Sequence, residues 1–218
     1  MRSFCVIGLG CFGFSLAKSL ISRKCQVMVI SPNAEQVNLL ADDAAYAVIG
    51  DPTNEATLRT AGVTDYDCAV VCIDDSMNDS ILATMILKDL GVKEVVARAM
   101  NDRHRRVLDR LGADMVVFPE EDMGDRIAQI LAKKDILDYF SFSEECSIAE
   151  INIPKDWVGK SIIENHIRNR YGVTVIALRH QGGQLDFAPD PSVPLLPDDT
   201  ITIMGRDDSI NKISSKLN

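Results

Sequence analysis

Close to the start of the chain a glycine-rich turn joins an apolar run of strand length to a helical pattern, and no other feature limits the fold as strongly. Val6-Ile7-Gly8-Leu9-Gly10-Cys11-Phe12-Gly13 places G-x-G-x-x-G after the run at residues 4–7 and at the opening of the pattern at residues 12–22. That context is what the motif requires. Gly8 permits a tight turn, Gly10 lets a phosphate approach bare backbone, and Gly13 lets the helix pack close to the strand. The free N–H groups of the helix N-terminus then face the anion. A glycine turn of purely structural use is the alternative, and the strand–helix–strand unit around this turn favours a nucleotide site, with Cys11 and Phe12 counted among its residues.

The rest of the first half repeats the same unit. Buried strands are expected at residues 4–7, 27–30, 47–48, 69–73, 95–97 and 115–118, each continuously apolar as in a parallel sheet covered on both faces. Helices are expected between and after them at 12–22, 34–42, 54–61, 79–90, 103–111 and 123–131, where apolar residues recur three and four apart. This alternation predicts an α/β fold, a Rossmann-type doubly wound parallel sheet, over residues 1–134. The repeat is lost at 135–147, which is read as a linker helix. Residues 148–218 follow as a smaller α+β domain, with a helix at 160–169, strands at 173–179 and 200–204, and turns at Gly182-Gly183 and Pro197-Asp198. At about 70 residues this second domain is marginal alone, so it is expected to pair with another copy.

Composition narrows the setting. Hydrophobic residues are 46% and charged residues 25% of the 218, an ordinary globular balance, and no apolar run reaches the roughly 20 residues of a membrane span. The apolar run that starts the chain has no basic leader beyond Arg2 and no small-residue cleavage site, so a cytoplasmic protein is expected. A net charge of −9 opposes binding to nucleic acid, so a phosphate must be held locally. The six cysteines form no C-x-x-C pair and read as free thiols, with Cys11 in the turn the exposed candidate.

Further site candidates fall at the carboxyl ends of the later strands, where a Rossmann crevice forms. The acid expected about twenty positions after the turn, on the ribose, is here Ser31, with Pro32 and Asn33 beside it. Gly50-Asp51 follows the third strand, Ile73-Asp74-Asp75 the fourth, and Arg98 ends the fifth as a phosphate partner. For Asp51, Asp74 and Asp75 helix capping and ligand contact stand as alternatives. Enzyme chemistry is not expected. His104, His166 and His180 lie far from the turn in sequence, and the chain shows no Walker lysine, no G-x-S-x-G and no His/Cys metal cluster.

An ordered set of strings resembles the RCK-type (regulator of potassium conductance) cytosolic regulatory subunits of Ktr/Trk potassium uptake systems, the KtrA/TrkA family. Besides the glycine turn they are Ala47-Val48-Ile49-Gly50-Asp51, Lys88-Asp89-Leu90-Gly91-Val92, Val107-Leu108-Asp109-Arg110-Leu111-Gly112-Ala113-Asp114 and Phe118-Pro119-Glu120-Glu121-Asp122-Met123-Gly124. Gly159-Lys160-Ser161-Ile162-Ile163, Arg168-Asn169-Arg170-Tyr171-Gly172-Val173 and Asp198-Asp199-Thr200-Ile201-Thr202-Ile203-Met204-Gly205 extend the set into the second domain. The resemblance implies a homo-oligomer, dimers assembling into an octameric ring, that gates a membrane potassium transporter subunit at the inner face of the cell membrane. It implies ATP or ADP, and in some members NAD(H), in the Rossmann crevice, and a divalent cation (Mg or Ca) near Glu120; a helix-capping acid is the other reading of Glu120. It also implies cyclic di-AMP in the cleft between two copies of the second domain, matched here by Ile162, Ile163, Ile167 and Arg168. Dimer core is the other reading of those isoleucines.

Two positions depart from the family pattern: Cys11 stands where an arginine is common, and Ser31 where an aspartate is common. Ligand identity is therefore the open question. Two alternatives follow from them: a small NADP-dependent reductase, and a cyclic di-AMP sensor whose Rossmann site has decayed.

Overall fold

The computed structural model describes residues 2–132, 136–143, 145–180 and 183–215, and it divides into two compact units, Met1–Pro119 and Glu120–Asn218. Lys134 and Asp135, where the sequence reading divides the chain, and Gly182 of an expected turn lie outside the described residues.

The first unit runs β1 (Ser3–Ile7), α1 (Cys11–Ser22), β2 (Gln26–Ser31), α2 (Ala34–Asn38), β3 (Tyr46–Ile49), α3 (Glu55–Ala61), β4 (Cys68–Val71), α4 (Met77–Asp89), β5 (Val95–Arg98), α5 (Asp102–Arg110) and β6 (Met115–Val117). Its six strands are parallel in the order β3-β2-β1-β4-β5-β6, the doubly wound order of the Rossmann fold. Alternation along β1 feeds both faces. Cys5 and Ile7 join one core with Leu58 of α3, Ala83 and Leu87 of α4 and Leu108 of α5. Val6 joins the other with Ala17 of α1 and Val37 of α2. The helices change face where the order reverses, between β1 and β4, and that reversal opens a crevice at the strands' carboxyl ends. Cys5, Cys68 and Cys72 fill core positions, and burial pushes the Cys68 thiol up to about 11 and the Cys72 thiol up to about 12.

His104 on α5 is fully buried, and its Nδ1 accepts the Met100 N–H at 3.2 Å. Burial, and after it the nearby Arg98 charge, holds its imidazole below the usual 6.5. As pH falls through about 6.5 the unfolded chain takes up a proton that folded His104 refuses until a lower pH, so stability is lost over that interval. The urea midpoint of the first unit is expected to be lower at about pH 5.5 than at about pH 7.5, with much of the difference removed by His104→Asn. Equal midpoints at the two pH values would contradict this.

The second unit contains α6 (Pro119–Ala132, its first residue in the other unit), β7 (Ile136–Ser141), β8 (Cys146–Asn152), α7 (Ile167–Tyr171), β9 (Thr174–Arg179), β10 (Leu185–Asp186), β11 (Thr200–Arg206) and α8 (Asp207–Ser214). Its strands order β10-β9-β11-β8-β7, all neighbours antiparallel. The core gathers Ile151, Trp157, Ile167, Leu195, Ile201, Ile210 and Ile213.

Two expectations are corrected here. The described residues of the expected linker helix, 136–143 and 145–147, are not helical: they supply β7 and the start of β8, antiparallel neighbours in which Tyr139 faces Ala149 and Ser141 faces Ser147. A register shift between Ile136 and Asp138 puts Ile136 and Tyr139, three apart, on the buried side, so a bulged strand carries a helix-like spacing. The helix expected at 160–169 is reduced to α7. Before it, the buried Asn165 Nδ2 donates to the carbonyls of Trp157 and Ser161, and His166 adopts φ +49°, which breaks the i→i−4 ladder.

Candidate nucleotide site

The glycine turn adopts the geometry its spacing requires. Gly8 sits at φ +88°, donates its N–H to the Ile30 carbonyl at 2.8 Å, and has Ile73 N only 2.9 Å from where a Cβ would stand. Gly10 is the N-cap of α1, with no side chain capping it and no acid in the first turn, so the positive end of the helix dipole is left to the crevice. Gly13 is buried, and a Cβ there would collide with the Gly8 carbonyl oxygen and come within 2.9 Å of the Cys72 Cβ. Helix and strand therefore meet at backbone distance.

Above the turn lies a cleft of about 450 Å³, within the usual range of ligand sites. Gly8 and Gly10 form its floor, and Ser31, Pro32, Asn33, Asp51, Ile73, Asp74 and Asp75 its walls, so nine of the residues named from sequence converge. Register explains why: Ile7 pairs with both Ile30 and Val71, which brings the ends of β2 and β4 level with the turn. The other named residues lie off the lining. Cys11 is exposed on α1, Phe12 packs into the core beside Ala17, and Gly50 sits against Thr57. Arg98, only 9% exposed, ends β5 away from the lining. Leu9, Gln36, Pro52, Thr53 and Asp79 complete the lining and were not singled out as site residues; Gln36 follows the Asn33 cap by three residues, the spacing that places it in the first turn of α2.

Local hydrogen bonds settle which side chains are committed. Buried Ser31 accepts the Asn33 N–H at 3.2 Å, and Asn33 Oδ1 accepts from the Glu35 and Gln36 N–H groups to cap α2. Asp51 Oδ1 accepts from the Thr53 N–H at 2.8 Å and hydroxyl at 2.6 Å. These bonds hold its carboxyl below the usual carboxylate range, while Asn54 caps α3. Ser76 caps α4 by accepting the Asp79 N–H, so neither Asp74 nor Asp75 performs that task and both face the cleft. The lining thus carries Asp51, Asp74, Asp75 and Asp79 and no lysine, arginine, histidine or cysteine.

In the second unit, a hollow of about 270 Å³ is lined by Ile162, Ile167 and Arg168 together with Val175, Phe187 and Pro191. Ile163 is not part of it and is 56% exposed; Ile167 contributes from the core, where it is 1% exposed. Glu120 lies in the first turn of α6 with Glu121 and Asp122. Among the described residues no three His, Cys, Asp or Glu side chains come together to hold a metal ion. Also among the described residues, no helix is long and apolar enough to cross a membrane.

A TrkA-N domain model matches residues 4–119 and a TrkA-C domain model residues 148–218. The chain is 35% identical over 216 residues to the Ktr system potassium uptake protein C of Bacillus subtilis, covering 99% of this chain and 97% of that one. It is 35% identical over 215 residues to the Ktr system potassium uptake protein A of the same organism, covering 99% and 96%. The solved structure of the GsuK channel bound to NAD shares the fold, with a TM-score of 0.66 at 20% identity over all of this chain and 40% of that chain. With both domain models matched and the likeness to Ktr proteins running nearly end to end, the chain belongs to the TrkA-N/TrkA-C family of potassium uptake proteins.

Proposed function

We propose that this chain is the regulatory subunit of a Ktr-type potassium uptake system, a cytoplasmic protein that gates a membrane transporter subunit by binding a nucleotide in the first unit. The observation that carries this reading is the uncapped N-terminus of α1 behind Gly8 and Gly10, opening onto a cleft at the reversal point of the sheet. ATP, ADP and NAD(H) are the candidate ligands. The backbone N–H groups of the turn hold phosphate, and the Ser31 hydroxyl and the Asn33 amide face the ribose. The relatives it matches over nearly their full length are potassium uptake proteins, and the role proposed here is binding without chemistry. Gating needs only that two nucleotides prefer different states of a ring of subunits; equal preference shifts nothing.

The hollow of the second unit is the candidate site for cyclic di-AMP, with Ile162 and Ile167 against a base and the exposed Arg168 on phosphate. Isothermal titration of the purified protein with ATP, ADP, NADH and cyclic di-AMP tests both units. Heat from at least one mononucleotide or dinucleotide, and scattering profiles that differ between ATP and ADP, are the expected results. Heat from cyclic di-AMP alone would move control to the second unit, and silence from all four would overturn the reading.

A further inference from the structure

One residue of the cleft lining, Asp74, bears directly on the glycine turn. It follows β4 in the loop before α4, is exposed, and lies directly over Gly10: a Cβ built on Gly10 would fall inside the Asp74 carboxylate. That is the space which the missing side chain of Gly10 keeps open for a phosphate. No capping duty holds Asp74 there, since Ser76 caps α4, and among the described residues no hydrogen bond or ion pair ties it down. What favours the position is the uncapped, acid-free first turn of α1, whose dipole attracts an anion. Asp51, Asp75 and Asp79 add like charge along the walls, with no cation on the lining to offset it.

We propose that the Asp74 carboxylate is a built-in occupant of the phosphate seat on the Gly8–Gly10 turn, displaced whenever a nucleotide binds, and that it sets the nucleotide affinity and charge preference of this chain. The inference rests on the nucleotide reading above. An incoming phosphate and the carboxylate compete for the same helix end, and the repulsion between them grows with the ligand's charge. The site therefore favours a ligand whose phosphates are few and diester-linked, such as a dinucleotide pyrophosphate, over a triphosphate.

The test is calorimetric titration of the full chain and of Asp74→Ala, Asp74→Asn and Asp75→Asn with ATP and with NAD in magnesium-free buffer, with thermal melts to show that each variant is folded. Asp74→Ala is expected to tighten ATP by roughly tenfold or more, and NAD by less. Asp74→Asn should fall between it and the parent, and Asp75→Asn, which removes the same charge away from Gly10, should change either ligand by less than about threefold. Binding by the parent with no gain in either Asp74 variant would overturn the proposal and leave the nucleotide reading standing. An equal gain in Asp75→Asn would overturn it in favour of diffuse repulsion. No binding by any of the four proteins would overturn both.

Discussion

Gly13→Ala is expected to destabilise the first unit by about 3 kcal/mol and to abolish nucleotide binding in whatever fraction stays folded. The new methyl collides with the Gly8 carbonyl oxygen and the Cys72 Cβ, and the first of these is backbone of the turn itself. No flexible side chain is there to give way. α1 must lift off β1, which loosens Ala17 and Leu9 in the core and swings the helix N-terminus away from the cleft floor. Gly124→Ala is the matched control: Gly124 is exposed within α6, a Cβ there meets nothing within 4 Å, and the substitution is expected to be neutral or stabilising by up to about 1 kcal/mol. Urea melts of the three proteins decide the matter, and a Gly13→Ala midpoint equal to the parent's would mean that helix and strand are not held at backbone contact.

Trp157→Ala carries the other large effect, in the second unit. Trp157 is fully buried, its ring lies 5.4 Å from that of Tyr171 at a 50° tilt, and it shares the core with Ile151, Ile167, Leu195 and Ile201. Truncation leaves a void lined largely by isoleucines, β-branched side chains that have few alternative rotamers with which to fill it, so a loss of about 3–5 kcal/mol is expected. Trp157 is also the chain's single tryptophan, so the parent's intrinsic fluorescence reports the unfolding of this unit, and circular dichroism follows the variant. A loss under about 1 kcal/mol would show that the ring is not central to the core. Trp157→Phe keeps most of the buried area and should fall between the two.

Legibility differed between the units for a physical reason. β1, β2, β4 and β5 are covered on both faces, so each writes an unbroken apolar run, and the helices between them keep the 3.6-residue period. The second sheet is antiparallel and packs through alternate residues, and one bulge at Ile136–Asp138 was enough to disguise β7 as a helix. α8 escaped notice because it continues straight from β11 through Arg206, with no capping side chain to mark its start. α7 was overextended because a left-handed residue at His166 leaves no mark on hydrophobic periodicity.

The site shows the same division. Spacing alone specified Gly8, Gly10 and Gly13, because the demands they meet, a positive φ, an open cradle and a close helix contact, arise within a few residues of each other along the chain. Spacing could not say that Ser76 rather than Asp74 caps α4, that Asn33 and Asp51 spend acceptors on their own loops, or that Arg98 lies off the lining. Least of all could it place Asp74 over Gly10, since those two residues meet only when β4 pairs with β1 across a long stretch of chain. The sequence by itself determined the strand–turn–helix and the parallel sheet that repeats it, because both follow from local conformation and periodic burial. Only the tertiary structure decided which charges face the cleft, because that depends on strand register and on which hydrogen bonds each side chain has already made.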